Sequence, residues 1–394
     1  MTPPNLMISA GEASGDMYAG RLAQELQRRA EINLFGLGGA QMAGAGVDLV
    51  AQSSEVAISG ISEVWSKLPA LRRAMRRLTD EASKRKPQLA ILTDFPSFHL
   101  RLARKLRRQN VRCVCFIAPQ FWAWRPWRAK LIRKRFVKAL CIFPFEEDFY
   151  RKAGVDVTFI GHPLVDIVKL SMPRDDFLAR HKLNGERPIV ALLPGSRINE
   201  VQRNLPPILD GCRQILDGTP GCQFVLALAS GMTAELVPGI GTSEALLRLQ
   251  SGGVERSFRI GAGVNLRIVS GATYDAVAAA TVAVVASGTA TVETALLGTP
   301  MIVVYRVARL TEVILRTLIT TKFVAMPNLI LGRRVVPELL QQDCTPPRIA
   351  AEVTGLLQSA AARAEMRGQL SAVRAKLGPG GAIERAAGVI LELL

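Results

Sequence analysis

Residues 6–16 read LMISAGEASGD, and this stretch decides the fold of the first half of the chain. The apolar run Leu6–Ala10 has the length of a buried strand. Gly11 and Gly15 follow it, and they allow the backbone to turn tightly and to approach a ligand closely. The next run, Asp16–Arg29, is amphipathic and predicts a helix. A strand, a tight turn and a helix in this order form the first part of a βαβ unit.

The polar residues of this turn have both structural and functional explanations. Ser14 is placed to cap the following helix, and Asp16 suits the positive end of that helix. Glu12 has no obvious structural role, so its carboxylate is a candidate for a catalytic group. The turn is not GxGxxG, which argues against an NAD-dependent dehydrogenase. A plain strand-to-helix turn without a ligand explains the spacing equally well.

The same alternation of short apolar runs and longer amphipathic runs continues along the chain and favours doubly wound parallel sheets. The other strands predicted in the first half are Leu89–Thr93, Arg112–Ile117, Ala139–Phe143 and Val157–Ile160. Those of the second half are Ile189–Leu193, Gln223–Ala229, Leu266–Val269, Val282–Ala286 and Met301–Tyr305. We therefore expect two α/β domains, residues 1–170 and 171–374, with a cleft between them beyond the carboxyl ends of the strands.

The positive charge of the chain is concentrated in one segment. The 394 residues carry 50 Lys and Arg against 33 Asp and Glu, a net charge of +17. The segment Lys67–Lys138 holds 21 of the basic residues and three acidic ones, so the rest of the chain is close to neutral. Such a segment indicates an anionic partner: nucleic acid, an anionic lipid surface or a phosphorylated substrate.

Several kinds of segment and site are not predicted. A membrane-spanning helix needs about 20 apolar residues, and the longest clearly apolar stretch, Ala276–Ala286, has 11. The first residues lack the basic region of a signal peptide. The six cysteines show no CxxC spacing and the three histidines are far apart, so we expect buried thiols in a reducing cytoplasm and no zinc site.

A carboxylate follows the second predicted strand. Asp94 stands where that strand ends at the cleft, which is the place of a general base, and Pro96 restricts the backbone of its loop. A structural alternative is that Asp94 caps the next helix. His99 either orients a substrate or simply starts that helix, and the second explanation is favoured.

Two turns of the second half predict anion sites. In LLPGSR, Gly195 and Ser196 bring amide N–H groups to a helix start, beside the guanidinium of Arg197. A capped helix with a solvent-facing arginine is the alternative there.

The second of these turns is ASGTATVE, residues 286–293. Its residues Ser287, Gly288 and Thr289 lie between a strand and a helix N-terminus, which suits a pyrophosphate. Glu293 is outside any capping-box spacing and can accept hydrogen bonds from a ribose diol.

Tryptophan and arginine alternate in PQFWAWRPWR, residues 119–128. Indole rings and arginines together suit a membrane interface or the stacking of single-stranded nucleic acid bases. The segment Ala57–Leu78 is apolar at first and then basic and amphipathic, which is typical of a helix that lies on a membrane surface.

Together these motifs resemble those of the lipid-A-disaccharide synthases. The resemblance is carried by AGEASGD (10–16), the Asp-x-Pro-x-Phe loop, PQFWAWR (119–125), FPFE (143–146), FIGHPL (159–164), LLPGSR (192–197), ASGTATVE (286–293) and MPNLILGRRVVPELLQ (326–341). It extends from about residue 7 to about residue 343.

The resemblance implies a GT-B fold, in which two Rossmann-like doubly wound domains face a cleft and a C-terminal helix, at about residues 375–394, returns to the first domain. It implies an inverting transfer of 2,3-diacylglucosamine from UDP-2,3-diacylglucosamine to the 6-hydroxyl of 2,3-diacylglucosamine 1-phosphate. The products are the β(1→6) disaccharide 1-phosphate and UDP. The implied place is the inner face of the cytoplasmic membrane, with the chain bound there peripherally.

Roles follow for particular residues under this resemblance. Asp94 is the first candidate for the general base, and Glu12 is the second. The residues expected to hold the substrates are Gly11, Ser14, Gly195, Ser196, Arg197, Ser287, Gly288, Thr289, Glu293 and Asn328. No DxD motif is present, so we expect no metal and no other cofactor, with amides, helix dipoles and Arg197 stabilising the departing UDP.

The chain departs from the pattern that the resemblance leads us to expect at three positions. The family usually has Asp where Ser97 stands, Asn where His99 stands and Met where Ser59 stands. These changes concern acceptor contacts and leave Asp94 in place.

Alternatives of other classes remain. One is a UDP-N-acetylglucosamine transferase or 2-epimerase of the same fold, and another is an RNA-binding protein. The clustered tryptophans favour an anionic membrane surface over nucleic acid. The sequence leaves a homodimer open.

Overall fold

The structure is a computed structural model that describes residues 3–56, 63–229, 256–260, 264–307 and 321–394. The described residues form two compact units. The first comprises Met1–Asp166 and Leu377–Leu394, and the second comprises Ile167–Thr317 and Thr321–Lys376. Each unit is built on a seven-stranded sheet. Among the described helices, none has the length and apolar character to cross a membrane.

The first unit has a fully parallel sheet in the order β3-β2-β1-β4-β5-β6-β7. Its strands are Asn5–Ala10 (β1), Asn33–Gly38 (β2), Asp48–Gln52 (β3), Leu89–Thr93 (β4), Arg112–Phe116 (β5), Lys138–Cys141 (β6) and Val157–Phe159 (β7). Its helices are Ala13–Arg29 (α1), Ala40–Gly44 (α2), Ser53–Val56 (α3), Glu63–Arg85 (α4), Pro96–Arg107 (α5), Ala129–Arg135 (α6), Pro144–Lys152 (α7) and Leu164–Ile167 (α8). A short 3₁₀ turn, Pro126–Arg128, precedes α6.

The winding of this sheet reverses between β1 and β4, which are hydrogen-bonded neighbours. From β1 the chain moves toward β2, and from β4 it moves the other way, toward β5. Right-handed crossovers in opposite directions place their helices on opposite faces of the sheet. The carboxyl ends of β1 and β4 therefore border the crevice at which ligands bind in such sheets. The loops that begin at Gly11 and at Asp94 lie at that point, together with the first turns of α1 and α5.

The second unit has the strand order β10-β11-β9-β8-β12-β13-β14. Its strands are Ile189–Leu193 (β8), Gln223–Leu228 (β9), Arg256–Ile260 (β10), Val264–Ser270 (β11), Val282–Ala286 (β12), Met301–Tyr305 (β13) and Glu338–Leu340 (β14). Its helices are Arg174–Arg180 (α9), Ile198–Gly218 (α10), Thr273–Ala279 (α11), Thr289–Leu296 (α12), Met326–Leu331 (α13), Pro346–Gln358 (α14) and Ala360–Lys376 (α15). Here the winding reverses between β8 and β12, so residues 194–197 and 287–289 lie at the crevice of this sheet.

The buried strands are those that the apolar runs predict, to within a few residues at each end. Four strands that the sequence analysis does not predict are also present: β2, β3, β10 and β14. Each of these strands lacks a long apolar run, for a physical reason. The strand β2 contains two glycines, β3 and β10 are edge strands, and β14 has only three residues. The strand β10 is antiparallel to β11, unlike the other strand pairs in the described chain.

The last helix, Ala382–Leu391 (α16), belongs to the first unit and packs against α1. The start of α16 is held by hydrogen bonds to α8 and to the loop after β7. The Gly381 N–H donates to Asp166 Oδ2 at 2.8 Å, and Arg385 Nε donates to the Ile160 carbonyl at 2.9 Å. The first unit is thus built from both ends of the chain.

The six cysteines are buried and free, as the sequence analysis predicts. Burial raises the pKa of Cys113 to about 12 and that of Cys222 to about 12. These thiols therefore remain protonated, and they pack as small apolar side chains.

Candidate active site

The loop after β4 has an unusual backbone. Asp94 and Phe95 both adopt left-handed conformations, with φ values of 56° and 52°. A non-glycine residue in this region costs free energy, and two in succession persist only where the surroundings hold them. Such strain is typical of functional sites. The turn directs residue 94 toward the loop after β1.

His99 holds this strained turn from inside the protein. Its side chain is 3% exposed, and Nδ1 lies 2.5 Å from the Asp94 carbonyl oxygen. Because a carbonyl only accepts, Nδ1 carries the hydrogen and Nε2 is the acceptor, which takes the Ser9 hydroxyl hydrogen at 2.8 Å. Burial lowers the pKa of His99 to about 4, so the ring is neutral at physiological pH. His99, on α5, thus positions the backbone of Asp94, and Ser9 on β1 holds the other ring nitrogen.

The loops after β1 and β4 are in contact. A Cβ on Gly11 would lie 2.3 Å from Phe95 Cδ1, so only glycine leaves room for that ring. Ser14 Oγ donates to Asp94 Oδ2 at 3.5 Å, and the Phe95 N–H donates to Asp94 Oδ1 at 2.9 Å. The structure therefore brings Gly11, Ser14 and Asp94 together.

Two residues of the first loop differ from the sequence-based expectation. Ser14 does not cap α1, since the N-cap position is Glu12, and no side-chain cap bond is formed there. Asp16 serves a different helix, because its carboxylate accepts the N–H groups of Gly39, Gln41 and Met42 at the start of α2. Asp16 thereby joins α1 to the loop after β2, while Glu12 stays half-buried at the crevice.

In the second unit, the PGSR loop is organised by a carboxylate. Glu200 Oε2 accepts the N–H groups of Ser196 and Arg197 at 3.1 and 3.4 Å, and Glu200 Oε1 lies 3.3 Å from Arg197 Nη1. A Cβ on Gly195, where φ is 138°, would lie 2.6 Å from the Cβ of Glu200. Two of the amides expected to face an anion therefore already have an acceptor. The hydroxyl of Ser196 and the guanidinium of Arg197 remain exposed.

The buried Asn204 joins this loop to the loop after β13. Its Nδ2 donates to the Pro194 carbonyl at 2.9 Å, and its Oδ1 accepts the Arg306 N–H at 2.9 Å. The loops after β8 and β13 are held together by this one side chain.

The turn after β12 presents a helix N-terminus to solvent. Gly288, with φ of 146° and ψ of −159°, adopts a backbone conformation that side chains do not allow. Gly288 and Thr289 are exposed, so the first amides of α12 point outward. Ser287 Oγ is turned inward and donates to the Val324 carbonyl at 3.2 Å. This is the arrangement that binds phosphate groups at helix ends.

Glu293 lies one turn farther along α12. Tyr274 donates its hydroxyl hydrogen to Glu293 Oε1 at 3.2 Å. Burial raises the pKa of Glu293, and the Tyr274 hydrogen bond opposes that shift. The structure therefore places Ser287, Gly288, Thr289 and Glu293 on one helix end.

Asn328 has a different environment from the one expected for a nucleotide contact. The side chain is fully buried, and its Oδ1 accepts the N–H groups of Val335 and Val336. Its Nδ2 donates to the Val336 carbonyl and to Glu338 Oε1. Every hydrogen-bonding position of the amide is in use within its own loop. Asn328 positions Glu338, whose carboxylate also accepts the Val324 and Ala325 N–H groups.

The tryptophan-rich loop is fixed from α7. Trp122 Nε1 donates to Glu146 Oε1 at 2.9 Å, and the same carboxylate accepts the Ile142 and Phe143 N–H groups. Burial raises the pKa of Glu146 to about 7, against the lowering effect of these three donors. Tyr150, also on α7, donates to the Pro119 carbonyl. Trp122 is therefore anchored, whereas Trp127 is 59% exposed.

The positioning roles of Ser9, Asn204, Glu200 and His99 are not apparent from the sequence. Each acts on a loop through a long-range or side-chain contact that spacing does not encode. Ser9 and His99 are 90 residues apart in the sequence. Within the described ranges, His, Cys, Asp and Glu side chains form no group of three or more that could hold a metal ion.

Comparison with known proteins shows the family of the chain. The family model for lipid-A-disaccharide synthetase matches residues 6–379 of the chain. The lipid-A-disaccharide synthase of Myxococcus xanthus is 41% identical over 393 residues, covering 100% of this chain and 98% of the relative.

Solved structures support the same fold. The UDP-GlcNAc 2-epimerase of Neisseria meningitidis bound to UDP-GlcNAc superposes with a TM-score of 0.65 at 12% identity, over 98% of this chain and all of that one. MurG of Acinetobacter baumannii gives a TM-score of 0.58 at 13% identity, over 99% of each chain. The expected GT-B class, with two Rossmann-like α/β domains, is confirmed. On the match of the family model and the full-length relatives, the chain belongs to the lipid-A-disaccharide synthetase family.

Proposed function

We propose that the chain transfers 2,3-diacylglucosamine from UDP-2,3-diacylglucosamine to the 6-hydroxyl of 2,3-diacylglucosamine 1-phosphate. The family supports a glycosyltransferase with a UDP-sugar-type substrate. The observation that carries the proposal is the strained turn at Asp94, held by a buried neutral His99 at the winding reversal of the first sheet. A carboxylate fixed in this way suits the deprotonation of a hydroxyl group.

The two lipid substrates provide the direct test. Incubation of the protein with both in neutral detergent micelles, followed by mass spectrometry, should yield one disaccharide 1-phosphate and one UDP per turnover. We propose that no metal takes part, so EDTA should leave the yield unchanged. Formation of an epimerised UDP-sugar in place of the disaccharide would contradict the proposal.

In the proposed reaction, the first unit supplies the base. Asp94 accepts the proton of the acceptor 6-hydroxyl while that oxygen attacks the anomeric carbon of the donor sugar. The bond between this carbon and the UDP oxygen breaks as the new bond forms, so the configuration inverts and UDP leaves with the electron pair. Ser14, which donates to Asp94 Oδ2, keeps the carboxylate oriented for that step.

The second unit, in the same proposal, binds UDP. The exposed amides at the start of α12 and the guanidinium of Arg197 supply partial and full positive charge for the pyrophosphate. Glu293 accepts hydrogen bonds from the ribose hydroxyls. Positive groups that are in place before the reaction stabilise the developing charge of the departing UDP without reorganisation.

The Asp94→Asn variant should fold normally and lose turnover by about 10²–10⁴-fold, since a positioned base contributes that much. Asparagine tolerates the left-handed backbone at this position, and its Oδ1 can still accept the Phe95 N–H. Initial rates at saturating substrates measure the effect, and calorimetric UDP binding verifies the fold. Glu12→Gln is the matched control. A large loss in Glu12→Gln with near-normal turnover in Asp94→Asn would transfer the role of base to Glu12.

His99 allows a sharper separation of positioning from packing. An Asn side chain places its Nδ2 where His99 has Nδ1, and a Gln side chain places its Nε2 near the histidine Nε2. His99→Asn should therefore keep the hydrogen bond to the Asp94 carbonyl and retain most of the turnover. His99→Gln should lose that bond, with turnover falling about tenfold or more while UDP affinity stays unchanged. Equal turnover in the two variants would contradict the positioning role.

His99→Asn should also change how the stability of the protein depends on pH. Burial lowers the pKa of His99 to about 4 in the folded state, against about 6.5 in the unfolded chain. The folded state thus binds fewer protons, so this contribution to stability is complete above pH 6.5 and is lost as the pH falls toward 4. Melting temperatures measured from pH 7 to pH 4 should fall less steeply for His99→Asn than for the original protein. His162, whose pKa burial also lowers, contributes in the same direction, and Glu146, whose pKa burial raises to about 7, contributes in the opposite direction.

Glu293→Gln should weaken UDP binding by about 5- to 30-fold, the usual effect of removing the charge from a hydrogen-bonded pair. Isothermal titration with UDP measures the change. Because burial raises the pKa of Glu293, binding to the original protein should also weaken toward acid pH, and binding to the variant should not. The exposed Glu365→Gln on α15 is the control. Unchanged UDP affinity in Glu293→Gln would remove Glu293 from the ribose site.

We also propose that the first unit docks on an anionic membrane surface. The helices α4, α5 and α6 lie side by side on one face of the sheet, and their outer sides carry the exposed basic residues. Among the described residues, these bases form no ion pair: Arg72, Arg73, Arg76, Arg101, Arg104, Lys105, Arg107, Arg108, Lys130, Arg133 and Lys134. Residues 57–62 of the expected membrane-surface segment, which include Ser59, lie outside the described residues.

Replacing Arg72, Arg73 and Arg76 with Gln should weaken binding to vesicles that contain anionic lipid. At about 1 kcal/mol for each charge near the surface, the expected loss is on the order of 10²-fold. Co-sedimentation with vesicles measures it, and binding of the original protein should fall with added salt. The control variant removes the same charge from exposed positions of α15: Arg367, Arg374 and Lys376. An equal loss in the control would contradict a docking face on α4–α6.

A further inference from the structure

Three arginines meet beside the first turn of α5. Arg128 Nη1 lies 3.4 Å from the hydroxyl of Ser97, which is the second residue of that helix. Arg101 stands one turn farther along α5, and Arg125 precedes Arg128 by three residues. The pKa of Arg128 is lowered mainly by burial. The positive charges of Arg125 and Arg101 lower it further. Arg128 thus lies close enough to Arg125 and to Arg101 to be repelled by both.

The repulsion within this arginine cluster is not neutralised by the surrounding protein. In the part of the chain that the structure describes, no carboxylate pairs with Arg101, Arg125 or Arg128. The Nε of Arg128 is buried and has no hydrogen-bond partner there, and Nη1 has only the long bond to a neutral hydroxyl. Like charges held together without a counter-ion are unfavourable unless a ligand supplies the opposite charge.

Aromatic rings hold the cluster in place. The guanidinium carbon of Arg128 lies 5.6 Å from the ring centres of both Trp124 and Trp127, and 5.9 Å from that of Phe121. The guanidinium carbon of Arg125 lies 5.2 Å from the Trp124 ring centre. Contacts of this kind orient a guanidinium before any anion arrives. Arg125 has a left-handed backbone, with φ of 68°, which is a further sign of a constrained position.

The ligand class follows from the geometry. A planar guanidinium with free N–H groups binds phosphate oxygens through paired hydrogen bonds. Ser97, whose hydroxyl Arg128 contacts, lies three residues after Asp94, the base proposed for the acceptor hydroxyl. On a hexose 1-phosphate, C1 carries the phosphate and C5 carries the CH₂OH group with the 6-hydroxyl, so both groups flank the ring oxygen. Asp94 and the arginine cluster therefore suit two neighbouring groups of one sugar.

We infer that Arg101, Arg125 and Arg128 form a phosphomonoester-binding site that recognises the 1-phosphate of the acceptor. This inference rests on the proposed function for the identity of the acceptor. A membrane phospholipid offers a phosphate of related chemistry, so the test is performed in neutral detergent micelles that contain no anionic lipid.

The test compares two acceptors, 2,3-diacylglucosamine 1-phosphate and the same sugar without its phosphate. The sugar without the phosphate is assayed as a competing substrate or inhibitor. The original protein should prefer the phosphorylated acceptor by about tenfold or more, the usual effect of a charged hydrogen bond. Arg128→Gln should lose most of this preference, mainly through a higher KM for the phosphorylated acceptor. Arg128→Lys, which keeps the charge without the paired donors, should recover part of it.

Two controls make the outcome specific. Arg374→Gln removes the same charge from an exposed position of α15, outside the arginine cluster, and should keep the original preference. UDP affinity should be unchanged in every variant, which verifies the fold, and the exposed Arg101→Gln provides a second variant within the cluster.

The possible failures are distinguishable. If the original protein forms no disaccharide, the proposed function fails. If it forms the disaccharide but Arg128→Gln and Arg101→Gln keep the full preference for the phosphorylated acceptor, only the phosphate site is overturned. The same conclusion follows if Arg374→Gln loses the preference to an equal extent.

Discussion

A right-handed crossover between parallel strands places its helix on one face of the sheet when the chain moves one way, and on the other face when it moves the opposite way. Both sheets of this protein reverse direction once, between β1 and β4 and between β8 and β12. At each reversal, two loops leave neighbouring strand ends in different directions and open a crevice. Most of the candidate residues of both units lie on these four loops or on the helices that follow them, with Asn328 as an exception, so their chemistry depends on the order of the strands.

This dependence explains which parts of the site the sequence predicts. Apolar runs locate β1, β4, β8 and β12, and the polar residues that follow each run are therefore candidates for function. Asp94 and Gly288 are found in this way, since both come directly after a buried strand. The family resemblance then supplies the reaction, which composition and spacing do not.

The sequence does not predict the hydrogen-bond partners of the polar residues in the site. Asp16 looks like a residue for the start of its own helix, yet it holds the start of α2, more than twenty residues away. Glu200 looks like an ordinary residue in the first turn of α10, yet its carboxylate occupies amides that were expected to face an anion. Asn328 lies in a recognisable motif, but its amide is saturated by its own loop. Only the folded chain shows which hydrogen bonds are already made.

The departure at residue 99 has a structural explanation. The resemblance leads one to expect asparagine there, and the Nδ1 of His99 occupies the position that the asparagine amide nitrogen would take. The donor to the Asp94 carbonyl is thereby kept, and the ring adds a contact to Ser9. The departure at Ser97 has a different effect, because a neutral hydroxyl leaves the charge of Arg128 available.

The return of α16 to the first unit also affects how the protein is made. The first unit has its whole sheet by Phe159, but it lacks the helix that packs on α1 until residues 382–391 have left the ribosome. At about 5–20 residues per second, that interval is roughly 10–40 s. During synthesis the apolar side of α1 is uncovered for this time, and the second unit is completed first. Chaperones that bind nascent chains would therefore meet an unfinished N-terminal half, and translation that stops early would leave it without its last helix.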